Sequence, residues 1–206
     1  MAYLQTVPPA EASGEVKAMY DKDLAAQGYV ANYTRAFSGR PDVLRGWLAL
    51  KDAVAAGMDD RLYELATVAA ATAIRSSYCS LVHGNILAKG YFPAGQVAGI
   101  ARAGSGAGPG AGAVAGALDE ADAAVVRFAR RVALEADRIT QDDVDELRGL
   151  GFSDADVFSI IAAAAARCFF SKVLDATGTQ PDAALHDVPG QLRTALTVGR
   201  DLAARE

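Results

Sequence analysis

The sequence feature that most constrains the fold is an excess of alanine, concentrated in two apolar stretches, Leu65–Ile74 and Ile160–Ala166. Hydrophobic residues make up 51% of the chain, but aromatic residues make up only 7%. Alanine is the best helix former, and its small side chain lets packed helices approach closely. No segment shows the sustained alternation of apolar and polar residues that indicates a half-buried strand. The sequence therefore predicts an all-α protein.

Capping residues and glycines divide the chain into predicted helices. Ser13, Thr140 and Ser153 stand at predicted N-caps, where a side-chain oxygen accepts a hydrogen bond from an unpaired backbone N–H. A last helix is predicted over Gln191–Ala204, packed on the outside or against a partner. The 206 residues are enough to bury a core, so we predict one compact helical domain over residues 1–206.

A glycine-rich segment at about residues 104–117 interrupts this helical pattern. Gly104–Gly116 contains six glycines and a proline, which is typical of a linker. It is not a convincing phosphate-binding loop, because no strand-like segment precedes it and no Gly-Lys-Ser/Thr follows it. We therefore predict a linker that joins the N-terminal and C-terminal helices.

Charge and apolar run length argue against several classes of partner. The formal net charge is -5 and no Lys/Arg cluster is present, which argues against nucleic acid and anionic membrane surfaces. The two longest apolar stretches are about half of what spans a bilayer. The first residues lack the basic start and apolar run of a signal peptide, and two cysteines do not make a disulfide framework. We expect a cytoplasmic protein without a membrane partner.

The candidate site is a cysteine and a histidine four residues apart, Cys79 and His83. That spacing is one helical turn, so the two side chains share a face. Ser76 and Ser77 favour a helix break just before them, because serine competes for backbone hydrogen bonds. Cys79 then lies in the first turn of the next helix, where unpaired N–H groups and the helix dipole favour a thiolate.

Neighbouring polar residues extend this site. Glu64, one helix earlier, is placed to orient the imidazole of His83, as the third group of a triad does. Ser76 and Tyr78 bring hydroxyls that can donate hydrogen bonds to an anion or a peroxide oxygen. The other interpretation of Cys79 is an inert buried thiol, which is the common case for a free cysteine.

A metal site is not expected. Zinc needs more ligands than Cys79 and His83, and the only other cysteine and histidine are Cys168 and His186. No cofactor is implied by any motif in the chain. Cys168 lies in an apolar helix and is expected to be a core residue.

The run Glu64-x11-Ser76-x2-Cys79-x3-His83 resembles the active-site signature of the alkylhydroperoxidase D-like proteins, in the carboxymuconolactone decarboxylase superfamily. The family pattern has a Cys-x-x-Cys between the glutamate and the histidine. Three further regions resemble the longer "peroxidase-related" branch: Val7–Tyr20, Leu118–Ala129 and Ile139–Asp154. The resemblance covers most of the chain, with the glycine-rich segment as the divergent part.

This resemblance implies an all-helical fold, with the site at a helix break, and a homo-oligomer. It implies that Cys79 is the peroxide-reactive thiol and that His83 and Glu64 form a proton relay. The family's first cysteine exchanges with an external dithiol reductant, but this chain has Ser76 at that position. Turnover would then need another thiol, which is a small molecule, a partner protein or Cys168.

Three functions remain open from the sequence. The first is a thiol-dependent, peroxidase-like oxidoreductase that uses Cys79 on a small hydroperoxide, with an external thiol as reductant. The second is an acid–base enzyme of the decarboxylase type that acts on a small cyclic organic acid through His83 and Glu64. The third is a non-catalytic helical oligomer that senses oxidation at Cys79 or binds a small molecule.

Overall fold

The computed structural model describes residues 2–105 and 118–205, and every regular element in these two ranges is helical. The all-α prediction is confirmed. The α-helices are α1 (Gly14–Gln27), α2 (Asn32–Ala36), α3 (Pro41–Ala55), α4 (Asp60–Ala73), α5 (Ser77–Gly90), α6 (Ala94–Ser105), α7 (Glu120–Glu135), α8 (Gln141–Gly149), α9 (Asp154–Ala176) and α10 (Gly190–Leu196). Short 3-10 helices span Pro9–Glu11, Ala136–Arg138 and Ala183–Asp187. The predicted linker lies outside the described residues from position 106 to 117, and positions 104 and 105 end α6.

Local capping chemistry fixes several helix ends. The Ser153 side chain accepts a hydrogen bond from the backbone of Asp156, and the Asp156 carboxylate accepts one from the backbone of Ser153 at 2.8 Å. Thr140 and Asp143 form the same reciprocal capping box before α8. These bonds satisfy the unpaired N–H groups of the first helical turn, so α8 and α9 start where the sequence predicts.

Helix α4 is the centre of the fold. Its residues from Leu62 to Ala73 are all buried, and it packs against α5, α7 and α9. Its alanine-rich surface allows neighbours to approach on several sides, which places the site residues on α4, α5 and α9 around a common centre. This is the structural consequence of the alanine excess in the sequence.

The last helix differs from the prediction. It spans Gly190–Leu196 instead of Gln191–Ala204, and the chain beyond it is irregular. The backbone there finds other partners, because the N–H of Gly199 donates to the Ser77 side chain at 2.8 Å. The helix also packs inside the protein: Leu196 is fully buried, and a Cβ at Gly84 would lie 2.6 Å from its methyl groups.

One helix in the described ranges, α9, is long and apolar enough to cross a membrane by length and composition. In the structure 44% of its apolar window is buried, and it packs against α3, α4 and α7. Core helices commonly pass the same test, so the composition of α9 is explained by its place in the fold.

Candidate active site

The site is built on the break between α4 and α5, where the sequence predicts it. Arg75 adopts a left-handed conformation with φ of 60°, which is unusual for a residue with a side chain. The N–H of Ser76 bonds to the carbonyl of Ala71 at 2.9 Å and closes the turn. Gly199 lies against this turn so closely that a Cβ on it would overlap the Arg75 carbonyl oxygen. The C-terminal segment therefore braces the break.

His83 and Glu64 form a pair across α5 and α4. The Nδ1 atom of His83 lies 2.7 Å from Oε2 of Glu64, and the two side chains are only 14% and 11% exposed. Burial and the positive charge of Arg167 lower the pKa of His83 below its ordinary value of 6.5, against the opposing effect of Glu64. A neutral His83 that donates from Nδ1 to the carboxylate keeps Nε2 as a proton acceptor.

Cys79 lies in the first turn of α5 and is only 2% exposed. It belongs to a buried cluster that is otherwise aromatic and aliphatic and includes Trp47, Tyr78 and Phe170. Burial by itself disfavours a thiolate, because it removes water from the charged form. The reactivity of Cys79 therefore depends on which polar group reaches its sulfur.

That group is Arg167 on α9, which the sequence analysis did not identify. Its Nη1 donates to the Cys79 sulfur at 3.7 Å, and its Nη2 donates to the Tyr63 hydroxyl at 3.2 Å. The guanidinium lies over the rings of Trp47 and Phe170, 5.4 and 5.8 Å from their centroids. The available signal was a single charged residue within the apolar, alanine-rich stretch Ile160–Phe170, because charged residues are rarely buried in such a stretch unless they are paired.

Arg167 is itself buried, with 2% exposure, and its Nε atom has no hydrogen-bond partner among the described residues. No carboxylate of the described chain lies within 4.0 Å of its guanidinium. A buried cation is costly unless an anion compensates it. The groups it contacts through hydrogen bonds are the Cys79 sulfur and the Tyr63 hydroxyl.

Comparison with known proteins bears on the fold. No family model matches the sequence, and no curated protein matches it. Three solved structures are similar over most of their length. An alkylhydroperoxidase AhpD core, an uncharacterized peroxidase-related protein from Ralstonia eutropha JMP134, has 21% identity and a TM-score of 0.76, and the match covers 89% of this chain and 94% of that one.

An uncharacterized peroxidase-related protein from Silicibacter sp. TM1040 has 21% identity and a TM-score of 0.68, with 90% and 94% coverage. A cysteine-to-alanine variant of the debrominase Bmp8, in complex with 2,3,4-tribromopyrrole, has 15% identity and a TM-score of 0.66, with 95% and 98% coverage. This chain has the alkylhydroperoxidase D-like fold. The resemblance predicted from the sequence is thus confirmed at the level of the fold, which is what likeness at these identities establishes.

Ser76, which the sequence resemblance aligns with the family's first cysteine, lies at the N-cap of α5. It is fully buried, and its hydroxyl makes no hydrogen bond of normal geometry in the described chain. It faces the Asp175 carboxyl on α9, whose pKa is raised by burial in spite of the lowering effect of Ser76. The structure therefore places a hydroxyl, and no thiol, one turn before Cys79.

Tyr78 is engaged with the C-terminal segment of the fold. Its hydroxyl donates a short hydrogen bond to Asp182 and accepts one from the backbone N–H of Tyr33 at 3.3 Å. Burial, followed by the charge of Asp182, raises the pKa of Tyr78 well above its ordinary value. The hydroxyl thus holds the first turn of α5 in place and stays protonated.

Cys168 follows Arg167 on α9 and is half-buried, not a full core residue. Burial raises the pKa of Cys168, and the positive charges of Lys172 and Arg167 partly oppose this. Residues 2–105 and 118–205 contain no group of three or more His, Cys, Asp or Glu side chains arranged to hold a metal ion. The reactive groups that these ranges bring together are two thiols, an imidazole–carboxylate pair and a buried guanidinium.

Proposed function

We propose that the protein is a thiol-dependent, peroxidase-like oxidoreductase that reduces a small hydroperoxide at Cys79. The observation that carries this proposal is the hydrogen bond from Arg167 to the Cys79 sulfur. A buried guanidinium without a carboxylate partner favours an anionic sulfur, and the thiolate is the nucleophilic form of cysteine. The His83–Glu64 pair one helical turn away supplies a group that takes up and returns a proton.

The reaction balances with these residues. His83 accepts the thiol proton, and the Cys79 thiolate attacks the outer oxygen of the hydroperoxide. The O–O bond breaks, an S–O bond forms, and the departing alkoxide takes the proton from His83 and leaves as an alcohol. Cys79 is thereby oxidised to a sulfenic acid while the hydroperoxide is reduced. Glu64 holds the imidazole in place through Nδ1.

Ser76 and Tyr78 have supporting roles in this proposal. The buried hydroxyl of Ser76 is the N-cap group of α5 and faces the Asp175 carboxyl, so in this proposal it supports the first turn of the helix that carries Cys79. Tyr78 acts through position, because its hydroxyl ties the first turn of α5 to Asp182. Neither residue replaces a second thiol, so the oxidised Cys79 must be reduced by another thiol.

The test is the reaction of the parent protein and Cys79→Ser with one equivalent of hydrogen peroxide or an organic hydroperoxide. Intact mass is measured in the presence of a sulfenic-acid trap, across about pH 5 to 9. We expect a rapid single adduct on the parent and none on Cys79→Ser. Equal hydroperoxide consumption by both proteins would overturn the proposal.

A second candidate is acid–base catalysis on a small cyclic organic acid. It is favoured by the His83–Glu64 contact of 2.7 Å and by the buried cation of Arg167, which suits a substrate carboxylate. In this candidate function His83 transfers a proton to or from a carbon atom of the substrate, so turnover continues after Cys79 is alkylated. A panel of lactone acids, assayed before and after alkylation of the cysteines, separates this candidate from thiol chemistry.

A third candidate is a non-catalytic sensor, in which Cys79 is oxidised once without turnover. Both cysteines are free thiols, which suits the reducing cytoplasm that we propose as the location. The sensor and the enzyme differ in one measurement. With excess dithiol and hydroperoxide, the enzyme consumes many equivalents of peroxide per chain, whereas the sensor consumes one.

We also propose that the protein is a homo-oligomer. Phe158, at the start of α9, is 69% exposed, and such an exposed aromatic side chain suits a contact with a second copy. Light scattering tests this by measuring the molar mass in solution. The molar mass of the parent should exceed the 21.3 kDa of one chain, and that of Phe158→Lys should be lower than that of the parent.

A further inference from the structure

The departing oxygen of a hydroperoxide needs a hydrogen-bond donor beside Cys79. When the thiolate attacks, the O–O bond breaks, and negative charge develops on the departing oxygen before a proton reaches it. Donors aimed at such developing charge are among the largest contributions to enzymatic rates. In the proposed function, on which this inference rests, His83 supplies the proton, and a separate donor would hold the oxygen until the proton arrives.

The two hydroxyls that the sequence places at this site are already engaged. Tyr78 donates to the Asp182 carboxylate, and Ser76 faces the Asp175 carboxyl. A hydroxyl has one hydrogen to donate, so a group that donates to a carboxylate has none left for a substrate oxygen. A donor for the departing oxygen therefore has to come from another helix.

Tyr63 on α4 carries a hydroxyl that is not engaged in this way. Its oxygen accepts a hydrogen bond from Nη2 of Arg167 at 3.2 Å, and Nη1 of the same guanidinium contacts the Cys79 sulfur at 3.7 Å. The hydrogen of Tyr63 has no acceptor within the described parts of the chain. Its ring packs edge-on to the His83 imidazole, with 6.3 Å between the centroids. One planar guanidinium thus bridges this O–H group and the thiol, beside the source of the proton.

The burial of Tyr63 and Arg167 points to a ligand for this O–H group. Tyr63 is only 9% exposed, and a tyrosine hydroxyl in so buried a side chain usually finds a partner for its hydrogen. Arg167 is 2% exposed and has no carboxylate partner among the described residues. The two side chains together present O–H and N–H donors without a negative group, which suits an oxygen that gains negative charge.

We propose that Tyr63 is a catalytic residue that donates a hydrogen bond to the departing oxygen of the hydroperoxide. The Cys79 thiolate attacks the outer oxygen, an S–O bond forms, and the O–O bond breaks. Tyr63 and Arg167 hold the departing oxygen by hydrogen bonds while the proton moves onto it from His83. The products are the sulfenic acid and an alcohol. Tyr63 keeps its own hydrogen, so this step needs no further oxidant or reductant.

The experiment compares two reactions of Cys79 in the parent and in Tyr63→Phe, both in a Cys168→Ser background. Alkylation with iodoacetamide expels iodide, which needs no hydrogen-bond donor, so its rate reports whether the thiol is ionised and reachable. Oxidation by tert-butyl hydroperoxide, measured by intact mass as the trapped sulfenic acid, expels a strongly basic alkoxide. We expect Tyr63→Phe to lower the ratio of the oxidation rate to the alkylation rate by about tenfold to a hundredfold, because one donor is lost and Arg167 remains.

The leaving group supplies a test that a purely structural role of Tyr63 would not pass. Peracetic acid expels acetate, a weak base that gains little from a donor, so Tyr63→Phe should lose much less rate with it than with tert-butyl hydroperoxide. The matched control is Tyr91→Phe, at an exposed tyrosine at the end of α5, which should behave like the parent in every reaction.

Two results would overturn the role of Tyr63. They are an unchanged ratio of oxidation to alkylation in Tyr63→Phe, and the same loss of rate with both oxidants. A parent protein that is alkylated but gives no sulfenic acid with either oxidant would instead overturn the proposed function, and this role with it. The two failures are therefore distinguishable.

Discussion

Replacing Arg167 by glutamine tests the physical basis of the proposed chemistry. Two opposite charges 3.7 Å apart attract each other by about 4 kcal/mol at an effective dielectric constant of about 20. That energy corresponds to a factor of about 1,000 in any rate or equilibrium constant that depends on the full attraction. Water penetration and relaxation reduce this value, so we expect Cys79 to lose about tenfold to a hundredfold of its alkylation rate at neutral pH.

The assay is alkylation of Cys79 with iodoacetamide, in the Cys168→Ser background so that one thiol reacts. Because Cys79 is buried, its rate also depends on how often the site opens. At high pH all thiols are ionised, so the alkylation rate there measures how often the site opens. The ratio of the alkylation rate at neutral pH to that at high pH then measures the effect of the Arg167 charge on Cys79. Arg167→Lys keeps the charge without the fork of N–H groups and should fall between the parent and Arg167→Gln.

The reasoning is refuted if Arg167→Gln shows the same ratio of neutral to high-pH rates as the parent. Changes in the high-pH rate alone would mean that Arg167 packs the site without tuning its charge. Thermal melts of the three proteins accompany the measurement, since the cation–π contacts with Trp47 and Phe170 also contribute to stability.

Two further predictions concern the scaffold and its response to pH. Gly199→Ala should destabilise the fold by about 1–3 kcal/mol, because its Cβ would overlap the Arg75 carbonyl oxygen. Gly46→Ala, on the exposed side of α3, should stabilise the fold by about 0.5–1 kcal/mol. Equal effects of the two substitutions in denaturant titrations would contradict the close contact at Gly199. Because the pKa of His83 is lowered in the folded state, the unfolded chain gains this proton first, and stability should fall as pH drops below about 6.5. His83→Gln should weaken that loss in melting temperatures between about pH 8 and 5, and an unchanged pH slope would argue against a buried neutral imidazole.

The sequence by itself determined the local structure and the group on α5. Alanine content predicts helices, and the capping boxes at Thr140 and Ser153 set helix starts, because these effects act over a few residues. The one-turn spacing of Cys79 and His83 follows from helical geometry alone. The sequence predicted Glu64 as the partner that orients His83, because it could serve as the third group of a triad and because the family signature has a glutamate there. In the structure its Oε2 lies 2.7 Å from Nδ1 of His83.

Only the tertiary structure decided which charge reaches Cys79. Arg167 is 88 residues away in sequence, and no periodicity links it to the thiol until α9 packs beside α5. The same holds for the chain after the last helix, where the Gly199 backbone bonds to Ser77 and lies against the turn at Arg75. Local propensities act within a helix, whereas the contacts that tune a buried thiol arise between helices, so they become visible only when the chain is folded.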